Sequence, residues 1–504
     1  MSGREMRAVA FCFAAISSVV AGLLLLGPVR DVLLRFTHDD AFYYFGIARR
    51  WSRQGFPTFD GIDATNGYHP LWQWLLVAVS RFFPDPITFV RVGAASGVVF
   101  FGLATWIVVK RLTREGNQSG ALAYAWVAGT LLLATIYGME SPLAVMLLAV
   151  GISATPHRDE WQWSQTLLCG AATALLFLAR LDALVWIVAL DTVLAFAAWR
   201  TNRGRILRLV ALMVAIHLIV VGGYFLGNWL SWGHVLSISA ALKAARASLF
   251  SLAVPRSLLL MLAIVVSAAG IPLLVEFCLA IRNESPDQVW TLATPAWLGL
   301  ANAMYLATIV AKGDYETYNW YFALTVFSGA YLWPVCLERY GTTWTGISRR
   351  ALTRVGLVAC VALVVLSVRS KITQPSGFLG AYDQATTLAS FREDSLVLGA
   401  SDCGILGYFS HQRVINMDGL TNSWDFQQAL AEHRLAPWLT DRGLNTYVTH
   451  ATIDRDGAVL HARAGLSSPS QTLHLQVEPI SSVSAPATGE IAVWRVTMIE
   501  HPSN

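Results

Sequence analysis

About eleven apolar runs dominate what this chain can fold into, because each approaches the roughly 20 residues a helix needs to cross a bilayer. They are Val9–Leu26, Ile87–Val109, Ala121–Tyr137, Pro142–Ala154, Thr166–Ala179, Ala183–Trp199, Val210–Leu230, Leu258–Ile281, Thr291–Ala311, Tyr321–Leu337 and Val355–Val368. So many apolar segments need lipid to face. The composition agrees: 55% of residues are hydrophobic and 13% charged, where soluble domains carry roughly 25% charged residues. Mean hydropathy is +0.51. A disordered chain, a disulfide scaffold and an ordinary water-soluble enzyme are excluded. Net charge is only +4 with no basic run, so nucleic-acid binding has no support.

Charge bias orients the runs. With the N-terminus cytoplasmic, the basic clusters at Lys110–Asn117, Arg200–Arg208, Arg282–Gln288 and Arg339–Arg350 fall on the inner side, as the positive-inside rule requires. The first run follows Arg4 and Arg7, and no small-residue cleavage site follows it, so it reads as a retained signal anchor. Leu71–Phe83 is apolar but short. Were it to cross, every later loop would flip, so it is expected to lie half-buried at the outer interface.

Two large pieces then lie outside: a first loop over residues 27–86 and a tail over residues 369–504. The tail is polar, with strand patterns at Ser395–Ser401, Val414–Asp418, Thr446–His450, Leu473–Val477 and Ile491–Met498 and a helix at Asp425–Leu435. The expected fold class is a polytopic α-helical membrane protein with a C-terminal extracytoplasmic α/β domain, residues 1–368 forming the membrane domain. Of the six cysteines only Cys403 lies outside a predicted span, so no disulfide is expected in the exported part. The setting is a cell inner (plasma) membrane.

The first loop holds the densest polar information. Asp39 and Asp40 stand side by side just beyond a membrane helix. Paired carboxylates repel and desolvation raises their pKa, which suits proton transfer or cation binding; equally, Asp40 can simply cap a solvated helix. Arg49 and Arg50 follow among aromatic and apolar residues, as in a helix beside lipid headgroups, and Arg binds phosphate bidentately. Gly67 and Pro70 frame His69 in a turn, where it is either structural or a phosphate donor. Further along come Glu140 in Gly-Met-Glu, at a span's outer end, and Arg180-Leu181-Asp182, which reads as a local salt bridge, Arg180 also being a candidate substrate ligand. Lys243 is one of only four lysines, either snorkelling or facing an anion. Tyr318 and Trp320 sit in a polar aromatic loop that fits either an interfacial belt or a sugar platform. There is no Walker A loop, no GxGxxG, no HExxH and no CxxC. Chemistry is therefore expected to face outward and to use a membrane-delivered substrate.

An N-terminal span, then Asp39-Asp40 opening an amphipathic helix, then Thr65-Asn66-Gly67-Tyr68-His69-Pro70-Leu71-Trp72, resembles the GT-C superfamily of integral-membrane glycosyltransferases. The nearest groups are the protein O-mannosyltransferase-like, aminoarabinose-transferase-like and arabinofuranosyltransferase-like enzymes. Glu140 stands where the family has a second acidic residue, and the stretches Asp402–Phe409 and Asn416–Asn422 resemble family tails. The pair is Asp-Asp where the mannosyltransferases have Asp-Glu, and His69 stands where some relatives carry Lys.

The resemblance implies an inverting glycosyltransferase with a polyprenyl-phosphate sugar donor and a glycan, lipid or protein acceptor, working outside the membrane. It implies Asp39 as general base. Asp40 would orient Asp39, cap the helix or hold a divalent metal cation, the one cofactor to consider. His69, Lys243 and Arg49 or Arg50 would stabilise the phosphate, Glu140 would bind acceptor or metal, and Tyr318 and Trp320 would line the sugar pocket. The alternatives are a transporter or flippase of lipid-linked sugars, and a non-catalytic assembly protein. The nearly uncharged span centres and the absence of an internal repeat weigh against the former.

Overall fold

The structure, a computed structural model, describes residues 17–117, 138–155, 161–201, 204–245, 263–264, 267–283, 285–311, 319–344, 378–390, 396–450, 455–456, 459–465, 470–485 and 489–498. The predicted runs Ala121–Tyr137 and Val355–Val368, and Tyr318, lie outside the described residues. Among those described, Pro86–Arg114, Leu181–Arg200, Gly204–Trp232 and Trp320–Tyr340 are long and apolar enough to cross a membrane. The fold is that of a polytopic membrane protein with a C-terminal α/β domain.

Two short helices build the first loop. Helix α1 (Asp39–Gln54) starts where the His38 ring accepts the Asp40 N–H at 3.3 Å, so His38 and not Asp40 is its cap. Two acidic residues in its first turn suit the positive end of the helix dipole. Helix α2 (Pro70–Phe82) opens on Pro70, where a missing N–H costs nothing. Its 13 residues reach only about 20 Å at 1.5 Å each, short of a roughly 30 Å hydrocarbon core. Gln73 Nε2 donates to the Tyr44 carbonyl at 3.2 Å and binds α2 to α1.

The bundle follows with α3 (Pro86–Arg114), α4 (Ser141–Ala154), α5 (Trp163–Ala179), α6 (Leu184–Arg200), α7 (Gly204–Trp232), α8 (Ile238–Ala245), α9 (Gly270–Arg282), α10 (Pro286–Ala311) and α11 (Ala323–Trp344). Its span centres are not uniformly apolar. His217 of α7 bonds Asp191 of α6 at 2.9 Å through Nδ1 and Thr173 of α5 at 2.7 Å through Nε2. Pairing of this kind is how ionisable side chains are tolerated inside a membrane bundle.

The tail carries α12 (Leu379–Ser390), then α13 (Gly404–Phe409), α14 (Trp424–Ala431) and α15 (Leu435–Asp441) around a seven-stranded mixed sheet in the order β2-β1-β3-β7-β6-β5-β4. Strands β1 (Val397–Ala400), β2 (Arg413–Asn416) and β3 (Thr446–His450) pair in parallel. Strands β4 (Arg455–Asp456), β5 (Val459–Ala464), β6 (Gln471–Ala485) and β7 (Gly489–Met498) are antiparallel. All five expected strands are present; β4, β5, α12 and α13 are additional. The expected helix Asp425–Leu435 is two, α14 and α15. The core is apolar, with Ile415, Phe426, Leu439 and Leu475 fully buried.

The loops after β1 and β2 face α1, the side of a parallel sheet where α/β domains hold ligands. Helix α13 packs on α1 through Tyr408 and Phe409, whose rings lie 5.6 and 5.2 Å from Phe42. Arg442 grips Asp63 of the first loop at 2.6 and 2.9 Å. His234, just beyond α7, stacks on Trp424 at 3.6 Å.

Candidate active site

A cavity open to the surface lies between the first loop, the ends of the bundle helices and the tail. Helix α1 presents Asp40, Tyr43, Tyr44 and Ile47 to it, an i, i+3, i+4, i+7 stripe. Gly67 to His69, Met139, Glu140, Arg180, Ser239, Lys243, Trp320 and Tyr321 complete its membrane-domain walls, and Leu420 and Thr421 close it from the tail. Six of the residues picked from sequence therefore converge: Asp40, His69, Glu140, Arg180, Lys243 and Trp320.

Asp39, Arg49 and Arg50 do not. Neighbours on a helix point about 100° apart, and Asp39 is turned to the tail. Its Oδ2 accepts the Gly404 N–H at 2.9 Å and its Oδ1 the Ile405 N–H at 2.7 Å, satisfying the first amides of α13. Asp39, expected from the sequence to act on the substrate, has both oxygens engaged by the tail and is only 4% exposed. Burial pushes its carboxyl well above the usual range, the two amides opposing that rise. Gly404 is required for this contact, since a Cβ there would fall 2.2 Å from the Asp39 carbonyl. Arg49 lies over the Tyr408 ring at 5.3 Å, and Arg50 donates to the Gly407 carbonyl at 3.3 Å. The expected phosphate ligands Arg49 and Arg50 are thus contacts to the tail.

Asp40 lines the cavity and keeps 34% of its side chain open. Burial lifts its carboxyl to about 6, with Lys243 pulling down and Asp402 pushing up. Lys243 also stands over the Tyr321 ring, 5.4 Å from its centroid.

His69 Nδ1 accepts the Leu181 N–H at 3.2 Å. That bond leaves the proton of the neutral ring on Nε2, which faces Glu140 Oε1 at 3.9 Å. Burial holds the His69 pKa below its ordinary value. Glu140 is 1% exposed. Its Oε1 pairs with Arg180 Nη1 at 3.3 Å, whereas its Oε2 has no hydrogen-bond partner among the described residues. Arg180 is held in turn by a fork to Asp182 at 3.0 and 2.7 Å and by bonds to Ser141 Oγ at 3.0 Å and the Trp320 carbonyl at 2.7 Å. It is a brace held by four hydrogen bonds.

Among the described residues no three His, Cys, Asp or Glu side chains are placed to share a metal ion. Asp40 has the Lys243 ammonium and the Asp402 carboxylate as neighbouring charges.

Over 100% of both chains, at 14% identity and a TM-score of 0.58, this architecture is similar to the crystal structure of ArnT from Cupriavidus metallidurans bound to undecaprenyl phosphate. The apo structure of the same protein matches at 14% identity, a TM-score of 0.54 and 98% of each chain. The chain has the GT-C fold. Within that fold, residues 379–492 match a family described as a domain of unknown function, DUF8728. No curated protein matches the sequence.

Several residues lining the GT-C cavity are not among the sequence candidates: Tyr43, Tyr44, Tyr68, Ser239, Tyr321, Leu420 and Thr421. For Tyr43 and Tyr44 the signal is present, since they share the helical stripe of Asp40.

Proposed function

We propose that this protein is an inverting membrane glycosyltransferase that moves a sugar from a polyprenyl-phosphate donor to an acceptor hydroxyl on the extracytoplasmic side, with Asp40 as general base. The observation that carries this reading is one cavity holding a carboxylate with its pKa near 6 opposite an ammonium and an imidazole N–H. The GT-C fold and the undecaprenyl phosphate bound by ArnT support it.

Asp40 takes the proton of the acceptor hydroxyl as its oxygen attacks the anomeric carbon. The bond from that carbon to the phosphate oxygen breaks, configuration inverts, and the polyprenyl phosphate leaves with the electron pair. A base with a pKa near the working pH combines a populated carboxylate with useful proton affinity. Charge developing on the phosphate is met by Lys243 and by the Nε2–H of His69, donors held in place before the reaction. Arg180 acts at one remove by fixing Glu140. No step is assigned to a metal ion.

Purified protein in lipid nanodiscs, given polyprenyl-phosphate-linked sugars and candidate acceptors, should release polyprenyl phosphate with stoichiometric glycosylation of one acceptor. Movement of the lipid-linked sugar across a bilayer without any transfer would contradict the proposal and favour a flippase.

A further inference from the structure

One wall of the cavity comes from the tail. Leu420 and Thr421, in the loop after β2, line it together with Asp40, His69 and Glu140. The Thr421 hydroxyl is buried in a residue only 5% exposed and has no hydrogen-bond partner among the described residues. Glu140 Oε2, on the same cavity, is in the same condition. Buried polar atoms are nearly always paired, so two unpaired ones, each in a residue that lines one cavity, point to a ligand that pairs them. A threonine hydroxyl gives and accepts a hydrogen bond, and a carboxylate oxygen only accepts. Ring hydroxyls of a sugar match both.

The position fits a sugar carried on a phosphate. Glu140 Oε1 stands 3.9 Å from His69 Nε2, so a phosphate oxygen held by His69 leaves its first attached ring beside Glu140. The Arg180 guanidinium, 3.3 Å from Glu140, offsets the carboxylate charge that would otherwise repel the phosphate.

The loop is also held in register with the base. Tyr43 of α1 accepts the Cys403 N–H at 2.8 Å and Asn416 Nδ2 at 3.0 Å. Asn416 in turn accepts the Gly419 N–H at 2.8 Å on its side chain and Asn422 Nδ2 at 2.9 Å on its carbonyl. Asp40 and Thr421 thus hang from the same turn of α1. On the far side the first loop touches the tail loop directly: a Cβ on Gly67 would fall 2.1 Å from the Leu420 carbonyl oxygen.

We infer that Thr421 and Glu140 Oε2 form the subsite that reads the hydroxyl groups of the transferred sugar, so that the tail domain sets sugar specificity. The inference rests on the donor class proposed above.

The test uses the full chain in nanodiscs and two sets of probes: undecaprenyl phosphate without a sugar, and the same lipid carrying mannose, glucose or arabinofuranose. The wild type should bind at least one sugar-bearing lipid more tightly than the bare one. Thr421→Val should remove about tenfold of that preference, the worth of one lost hydrogen bond in a buried site, with bare-lipid affinity changed less than about twofold. Glu140→Gln should also lower the sugar preference, and Thr421→Ser should restore it. Equal weakening of both probes in Thr421→Val, or an unchanged sugar preference, overturns the inference. A wild type that binds neither probe overturns the donor proposal itself. A wild type whose bare-lipid binding is lost in His69→Ala, while Thr421→Val keeps full sugar preference, overturns only the subsite.

Discussion

Asp39 Oδ1 accepts the Ile405 backbone N–H at 2.7 Å, across 366 positions of chain. The contact is the pivot of the molecule. It turns one acidic residue of the first loop into an anchor for the tail and leaves its neighbour Asp40 facing the cavity.

Asp39→Ala should therefore act on docking. It leaves two buried amides of α13 without partners, at about 1–3 kcal/mol for such a loss. A lower melting temperature and faster tryptic release of the tail are expected. The pH profile of the residual transfer should stay that of the wild type, since Asp40 is unchanged.

The acid limb of transfer should report Asp40. Its folded-state pKa is raised to about 6, and the carboxylate is the active form. The rate should fall as pH drops through about 6, with a slope of one proton. A pH profile of kcat at saturating donor checks this.

Lys243 lowers the pKa of Asp40. Removing it in Lys243→Met should move the acid limb to higher pH and also weaken leaving-group stabilisation. Both shifts appear in one pH series, and a lysine serving only as an interfacial anchor would produce neither.

His69 is held as a neutral donor by the Leu181 N–H and by burial. His69→Ala should raise the donor KM by about 10- to 100-fold, the range expected when a well-placed hydrogen bond to a charged group is lost. Because burial lowers the ring's pKa, any inflection of donor affinity that disappears in His69→Ala should lie below pH 6.5, which a titration of binding against pH in both proteins would reveal.

Much of this architecture was legible because it is local. Apolar length marks the spans, and short apolar runs in a polar tail mark the strands Val397–Ala400 and Arg413–Asn416. The short helix Pro70–Phe82 follows from length and charge bias. His69, Glu140, Lys243 and Trp320 converge as residue type and loop position suggested. The roles of Asp39, Arg49 and Arg50 were not legible, because what they meet is the backbone and rings of residues 404–408, more than 350 positions away. One local signal went unused: the stripe Asp40, Tyr43, Tyr44, Ile47 already separates Asp40 from Asp39 by a helix face. Thr421 carries no local signal, for its hydroxyl matters only once the tail is docked.

The central claim is that Asp40, and not Asp39, is the base. The most direct measurement compares kcat of Asp40→Asn and Asp39→Asn for transfer from a polyprenyl-phosphate sugar, at matched folding judged by melting temperature. A fall of about 10²- to 10⁴-fold is predicted for Asp40→Asn, the usual worth of a general base, with donor binding retained and a much smaller loss for Asp39→Asn. Wild-type kcat in Asp40→Asn together with abolished transfer in a well-folded Asp39→Asn would contradict the account.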